Sequence, residues 1–173
     1  MPDTLYDAAA IRRALDTLAE KIQADSASPV CIVGIQRGGA AVADALQQRL
    51  EQTGATVERG NLDITFYRDD LDTIGPNPEV HPSDLPFDVS GKEIWLIDDV
   101  LYTGRTIRAA LGEIFDYGRP ASVRLVVLVD RGGCELPIAA YASGLKHETT
   151  VGISVKLVYD DANNWRIVQR RIS

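Results

Sequence analysis

The chain has 173 residues, 45% of them hydrophobic and 25% charged, with a formal charge of −7. That is one domain's worth of globular sequence with enough apolar material for a core, and its acidity gives no general attraction to nucleic acid or anionic membrane. No apolar run approaches the ~20 residues of a membrane span, no basic-then-apolar leader opens the chain, and Cys31 and Cys134 have neither metal-ligand nor disulfide-framework spacing, so a cytoplasmic protein without membrane contact is expected.

Ala10, Ile11, Ala14, Leu15, Leu18 and Ile22 recur at helical spacing and predict an amphipathic helix over residues 7–23, ended by Ser26 to Pro29. Val30 to Ile35 then reads as a buried strand, with Cys31 as a small core residue. Gln36, Arg37, Gly38 and Gly39 turn into a second helix carrying Ala41, Val42, Ala45, Leu46 and Leu50, closed by Gly54. Two successive glycines after an apolar strand let backbone N–H groups approach an anion, and Arg37 adds charge. A plain strand-to-helix turn can have the same composition. Leu62 to Phe66 reads as the next strand. From Tyr67 to Gly91 runs a proline-rich connection, long enough inside a compact domain to suggest a lid, with Arg68 at its root.

The stretch Glu93 to Leu111, EIWLIDDVLYTGRTIRAAL, carries the strongest signal. Ile94 to Ile97 predict a buried strand, and Asp98 and Asp99 follow where it would leave the sheet. A short turn through Tyr102, Thr103, Gly104 and Arg105 leads to a helix with Ile107, Ala110, Leu111 and Ile114 on one face. Asp, Thr and Gly serve as caps and turn formers at any such junction, but an apolar run, two acids and TGRT in register make a tighter pattern. Ligands of open α/β sheets sit at the carboxyl ends of strands, and a helix N-terminus offers free N–H groups to a phosphate. Acids suited to sugar hydroxyls or a hydrated metal, beside a phosphate cradle, fit a phosphorylated sugar.

Gly118, Arg119 and Pro120 end that helix, and Val123 to Val129 predict another buried strand running into Asp130, Arg131, Gly132 and Gly133. Ile153 to Tyr159 and Trp165 to Gln169, around a turn rich in Asp and Asn, predict a hairpin that would form a small cap beside the main sheet. His81 and His147 read as surface residues, so catalysis by positioning and electrostatics is expected rather than by a histidine base.

The central stretch resembles the phosphoribosyl pyrophosphate (PRPP) signature of type I phosphoribosyltransferases. Together with AIRRALDTLA, LDITFYRDDL, YGRPASVRLVVLVDRG and ELPI, the chain is similar to the PyrR family of bifunctional pyrimidine operon regulators and uracil phosphoribosyltransferases. The resemblance runs from about Ala10 to Val158 and is close through residues 62–137. It implies an α/β fold with a central, mainly parallel sheet flanked by helices and a small hood on the C-terminal side. That makes a single domain over 1–173, with its core in 1–133, hood in 134–173 and lid in 67–91. It implies transfer of ribose 5-phosphate from PRPP to uracil, giving UMP and pyrophosphate, with a role in regulating pyrimidine nucleotide synthesis. Asp98 and Asp99 would hold the ribose hydroxyls, Asp99 lying near the developing cation. Val100, Leu101 and Tyr102 lead into Thr103, Gly104, Arg105 and Thr106, which would bind the 5′-phosphate. Arg37 and Gly38 fall on the pyrophosphate loop, where relatives often hold a cis peptide, and Arg68 would assist there as a second catalytic group. Arg131 and Val155 align with positions beside the base. Mg²⁺ would arrive with PRPP, near Asp98, and the family suggests a homodimer or higher homo-oligomer.

The family's other activity, UMP-responsive binding of pyrimidine leader RNA, carries over less well. Asp16 and Glu20 stand where RNA-binding relatives place threonine and histidine. Cys134 and Ala139 replace arginines, and Leu145 a lysine. Such changes remove attraction to phosphate or add repulsion. Arg166, Arg170 and Arg171 read as charged guards on an edge strand or as a compensating RNA patch. The readings left open are a uracil phosphoribosyltransferase, an RNA-binding attenuator with vestigial catalysis, and a sensor of PRPP or UMP.

Overall fold

The computed structural model describes residues 2–65, 82–162 and 164–172. Five parallel strands form the main sheet in the order β3-β2-β4-β5-β6: β2 (Val30–Ile35), β3 (Val57–Leu62), β4 (Glu93–Leu101), β5 (Ser122–Asp130) and β6 (Ala142–Lys146). A smaller antiparallel sheet has the order β1-β8-β7, from β1 (Asp3–Tyr6), β7 (Ile153–Val158) and β8 (Arg166–Arg171). The described helices are α1 (Ala8–Ala24), α2 (Gly38–Gln52) and α3 (Arg105–Tyr117).

The alternation of side chains along each strand divides the core into two layers. Ile32, Trp95, Ile97, Val126 and Leu128 face Ile11, Leu15 and Leu18 of α1 and Val42, Leu46 and Leu50 of α2. The intervening positions, Val33, Ile35, Ile94, Leu96 and Val127, face Ile107, Ala110 and Ile114 of α3. Both faces are covered, which is why the central strands read as unbroken apolar runs. Val155 and Ile167 join the α1/α2 layer, so the small sheet is anchored to the same core. No described helix is long and apolar enough to cross a membrane.

The structure departs from the sequence expectation in several places. The third strand is Val57–Leu62, and of the expected Leu62–Phe66 the residues Asp63 to Thr65 are not strand while Phe66 lies outside the described residues. Asp63 ends it, its buried carboxylate accepting from the backbone N–H of Thr65 at 2.9 Å, an Asx turn. Glu58 and Arg59 hid this strand in the sequence, yet both are satisfied there, Glu58 by Lys92 and Arg59 by Asp44. β1 and β6 had no clear signal. In β6, a Cβ on Gly144 would stand 3.0 Å from Ala14 Cβ and 3.1 Å from the Leu128 carbonyl, so the glycine permits the close approach of α1. β8 is the central strand of its sheet because β1 returns to pair with it, Asp3 opposite Gln169. Arg166, Arg170 and Arg171 are therefore not guards of an edge strand. Of the expected lid, 67–81 lies outside the described residues; beyond it Asp84 bridges back to Asn61 and Val89 is buried.

Candidate active site

The site forms where the sheet loses symmetry. β4 pairs with β2 only as far as Gly34 opposite Ile97, yet with β5 as far as Leu101 opposite Asp130. Asp98 and Asp99 thus remain within β4, held on one side only, rather than following the strand as expected. The opened flank is filled by the turn after β2, where the Gln36–Arg37 peptide is cis. A Cβ on Gly39 would stand 2.5 Å from the Ile97 carbonyl, and one on Gly38 would collide with the Asp99 carboxylate. Only hydrogen at both positions lets this turn lie against the acids. Asp98 is 6% exposed, and its Oδ1 accepts from the Asp99 N–H at 2.9 Å. Asp99 Oδ1 accepts from the Val100 N–H at 2.9 Å.

Two helices begin at this point, and in neither does the N-cap side chain accept a hydrogen bond, although Thr103 Oγ1 accepts from the Arg105 N–H at 3.2 Å. α2 starts from Arg37, and α3 from Gly104, which adopts the left-handed φ of 91°. By contrast α1, remote from the acids, is capped by Asp7, whose Oδ1 accepts from the Ala10 N–H at 2.9 Å. Uncapped first turns leave N–H groups and the positive end of the helix dipole available to an anion. The bend before α3 is braced from behind: the Glu135 and Leu136 N–H groups both donate to the Thr103 carbonyl, at 2.9 and 3.3 Å. Glu135 also pairs with Arg105 at 3.2 Å.

Arg131, at the end of β5, is 4% exposed, and its guanidinium lies 3.7 Å from the centre of the Tyr102 ring. Burial pulls its pKa below the ordinary arginine value, with Tyr102 acting in the opposite sense. Its Nε has no hydrogen-bond partner among the described residues. A Cβ on Gly133 would stand 2.9 Å from the same ring, so Tyr102 is held between the two. A buried cation without a carboxylate is costly unless something else supplies acceptors.

One cavity of about 930 Å³ collects these groups. Its walls include Arg37, Gly38, the whole run Asp98 to Thr106, Arg131 and Val155, so the expected site residues meet there. Arg68 lies outside the described residues. His147 does not line the cavity; its ring stands edge-on to Tyr6 at 6.2 Å. The sequence reading missed Ser154, Lys156, Arg170, Arg171 and Ile172, which also line it. The available signal was the hairpin itself: once Val155 is placed beside a ligand, its strand neighbours and the paired strand come with it. Among the described residues no three His, Cys, Asp or Glu side chains gather to hold a metal.

A phosphoribosyl transferase domain model matches residues 2–161. The bifunctional protein PyrR of Roseiflexus sp. (strain RS-1) is 52% identical over 139 residues, covering 79% of this chain and 76% of the relative. That of Geobacter sulfurreducens is 43% identical over 162 residues, 92% of each chain. Among solved structures, a hypoxanthine phosphoribosyltransferase from Staphylococcus aureus is similar with a TM-score of 0.67 at 20% identity, over 87% of this chain and 80% of the other. The Trypanosoma cruzi enzyme gives 0.69 at 18% identity, over 99% and 97%. Likeness at such low identity establishes a shared fold.

Proposed function

Because the chain belongs to the phosphoribosyl transferase domain family and, within it, to the bifunctional PyrR proteins, we propose that it transfers ribose 5-phosphate from PRPP to uracil, giving UMP and pyrophosphate, and takes part in regulating pyrimidine nucleotide synthesis. One observation carries this reading: a pair of carboxylates lies between two uncapped helix N-termini in a single cavity. PRPP has the matching pattern, with hydroxyls in the middle and an anion at either end.

In this reading Asp98 and Asp99 accept from the ribose 2′ and 3′ hydroxyls. The 5′-phosphate takes the N–H groups and hydroxyls of Thr103 to Thr106, and the pyrophosphate lies along Arg37 and Gly38. Asp99 stands near the positive charge that develops on the sugar, which favours the transition state over the ground state. Arg131 and Val155 border the base, the buried guanidinium offering donors to its acceptor atoms. Two adjacent carboxylates suit Mg²⁺, which takes one or two carboxylates plus phosphate oxygens and keeps several waters. When bound, the ion neutralises charge on the departing pyrophosphate.

Asp16 and Glu20 are exposed on α1, where the RNA-binding pattern calls for donors, which favours the enzymatic half of the bifunctional role over RNA contact on that face. A cytoplasmic homodimer or higher homo-oligomer completes the proposal, supported by the family resemblance. Incubation with uracil, PRPP and Mg²⁺ tests it. UMP and pyrophosphate in equal amounts are expected; PRPP left intact beside uracil would refute it.

A further inference from the structure

The turn from β2 into α2 is fastened from outside the cavity, by the edge strand β3 beside it. Among the described residues, none of β3 lines the cavity. Arg59 of β3 stands opposite Ile32, so its side chain rises on the α2 side of the sheet. An arginine on an edge strand ordinarily keeps its charged head in water, but this side chain is only 12% exposed. Burial pulls its pKa below the ordinary arginine value, with Asp44 acting in the opposite sense. Its Nε has no hydrogen-bond partner among the described residues. A cation buried in this way is costly unless its remaining donors are well placed.

Those donors are directed at the first turns of α2. Nη2 donates to the Ala40 carbonyl at 3.1 Å and pairs with Asp44 at 3.1 Å, while Nη1 donates to the Gly60 carbonyl. The guanidinium crosses β2 at Gly34, where a Cβ would stand 3.0 Å from Nη2 and 2.8 Å from Ala40 Cα. Only glycine there admits both the helix and the cation. The Ala40 carbonyl belongs to the same peptide unit as the Ala41 N–H, which donates to the Arg37 carbonyl at 3.2 Å. Arg59 is joined to Arg37 through that one peptide, and hydrogen bonds in such a chain strengthen one another. The other end of the turn is tied to β3 as well, the Gln36 N–H donating to the Leu62 carbonyl at 2.8 Å.

Resting on the PRPP reading, the free N–H groups of Gly38, Gly39 and Ala40 at the start of α2 receive the pyrophosphate. We propose that Arg59 is a positioning residue for pyrophosphate: it grips the Ala40 carbonyl from behind, fixes the tilt of the first turn of α2, and so aims those N–H groups without touching the ligand. The 5′-phosphate at Thr103–Thr106 and the base beside Arg131 and Val155 are held by other elements and do not depend on this grip. Its effect is therefore selective for ligands that carry pyrophosphate.

The test uses Arg59→Met, which keeps an apolar stem over Gly34 and removes the donors, and Arg59→Lys, which restores a single donor group. In Arg59→Met, KM for PRPP and the inhibition constant of pyrophosphate should each rise roughly tenfold, the scale of a lost hydrogen bond to a charged group. The dissociation constant of UMP, which carries no pyrophosphate, and kcat at saturating PRPP should stay as in the wild type, and Arg59→Lys should fall between the two. Equal weakening of UMP and pyrophosphate would show a merely structural role and overturn the inference, and so would no change in either. If circular dichroism shows that Arg59→Met does not fold, Arg59→Lys decides by the same comparison: pyrophosphate weakened more than UMP supports the inference, and equal effects overturn it. A wild type that makes no UMP fails the parent function and this inference together; a wild type that makes UMP beside an Arg59→Met enzyme with unaltered pyrophosphate inhibition fails this inference alone.

Discussion

Gly38 opens α2 and Asp99 lies in β4, yet the two are coupled, because the space a side chain at Gly38 would need is the space the carboxylate occupies. Gly38→Ala should displace the turn from the acids at a cost typical of overpacking, about 1–3 kcal/mol. Steady-state kinetics should show KM for PRPP rising on the order of tenfold, the same energy expressed in binding; an unchanged KM would mean that the turn does not touch the ligand. At this scale the sequence was informative about residue identity and silent about contact. Two acids after an apolar run and two glycines after another are visible as motifs. That they touch, and that Arg131 lies on Tyr102, depends on loops from strands far apart in the chain, which no local spacing encodes.

Among elements, the strands with purely apolar cores were legible, Val30–Ile35 to the residue. β3 was not, because its outward positions are charged and satisfied by partners elsewhere in the sequence. Glu58 shows the consequence. Its carboxyl is held below the usual range, first by the hydrogen bond from Lys92 and then, against burial, by the bond from Cys31. The Cys31 thiol in turn is pushed up to about 11 by burial and by Glu58. A carboxyl whose folded pKa is lowered contributes stability above its unfolded value and loses it as pH falls through the folded one. The thermal midpoint of the wild type should therefore drop as pH falls below about 4, near the unperturbed glutamate value. Glu58→Gln should make that drop shallower; an identical acid limb would show that the Lys92 pair adds nothing to the fold. Helix starts were legible for a related reason. α1 carries its own cap in Asp7, whereas α2 and α3 begin without one at the cavity, where a ligand anion would take its place.

For the molecule as a whole, alternating strands and helices announced a parallel sheet covered on both faces, and the strand and turn pattern of 153–169 announced the hairpin of the small sheet beside it. What stayed hidden was that the two ends of the chain meet there, β1 pairing with β8. That pairing makes the arginine-rich strand an interior one and sets Arg170 at the cavity instead of at an edge. The core of both layers serves to hold one geometry: a strand end stripped of a neighbour on one side, with a helix N-terminus above each flank. The most direct measurement is UMP formation by Asp98→Asn/Asp99→Asn beside the wild type, with far-UV circular dichroism to verify the fold. The substitutions keep size and remove charge, so a native spectrum with turnover lowered roughly a hundredfold or more is predicted. Turnover equal to the wild type in a natively folded variant would contradict the account.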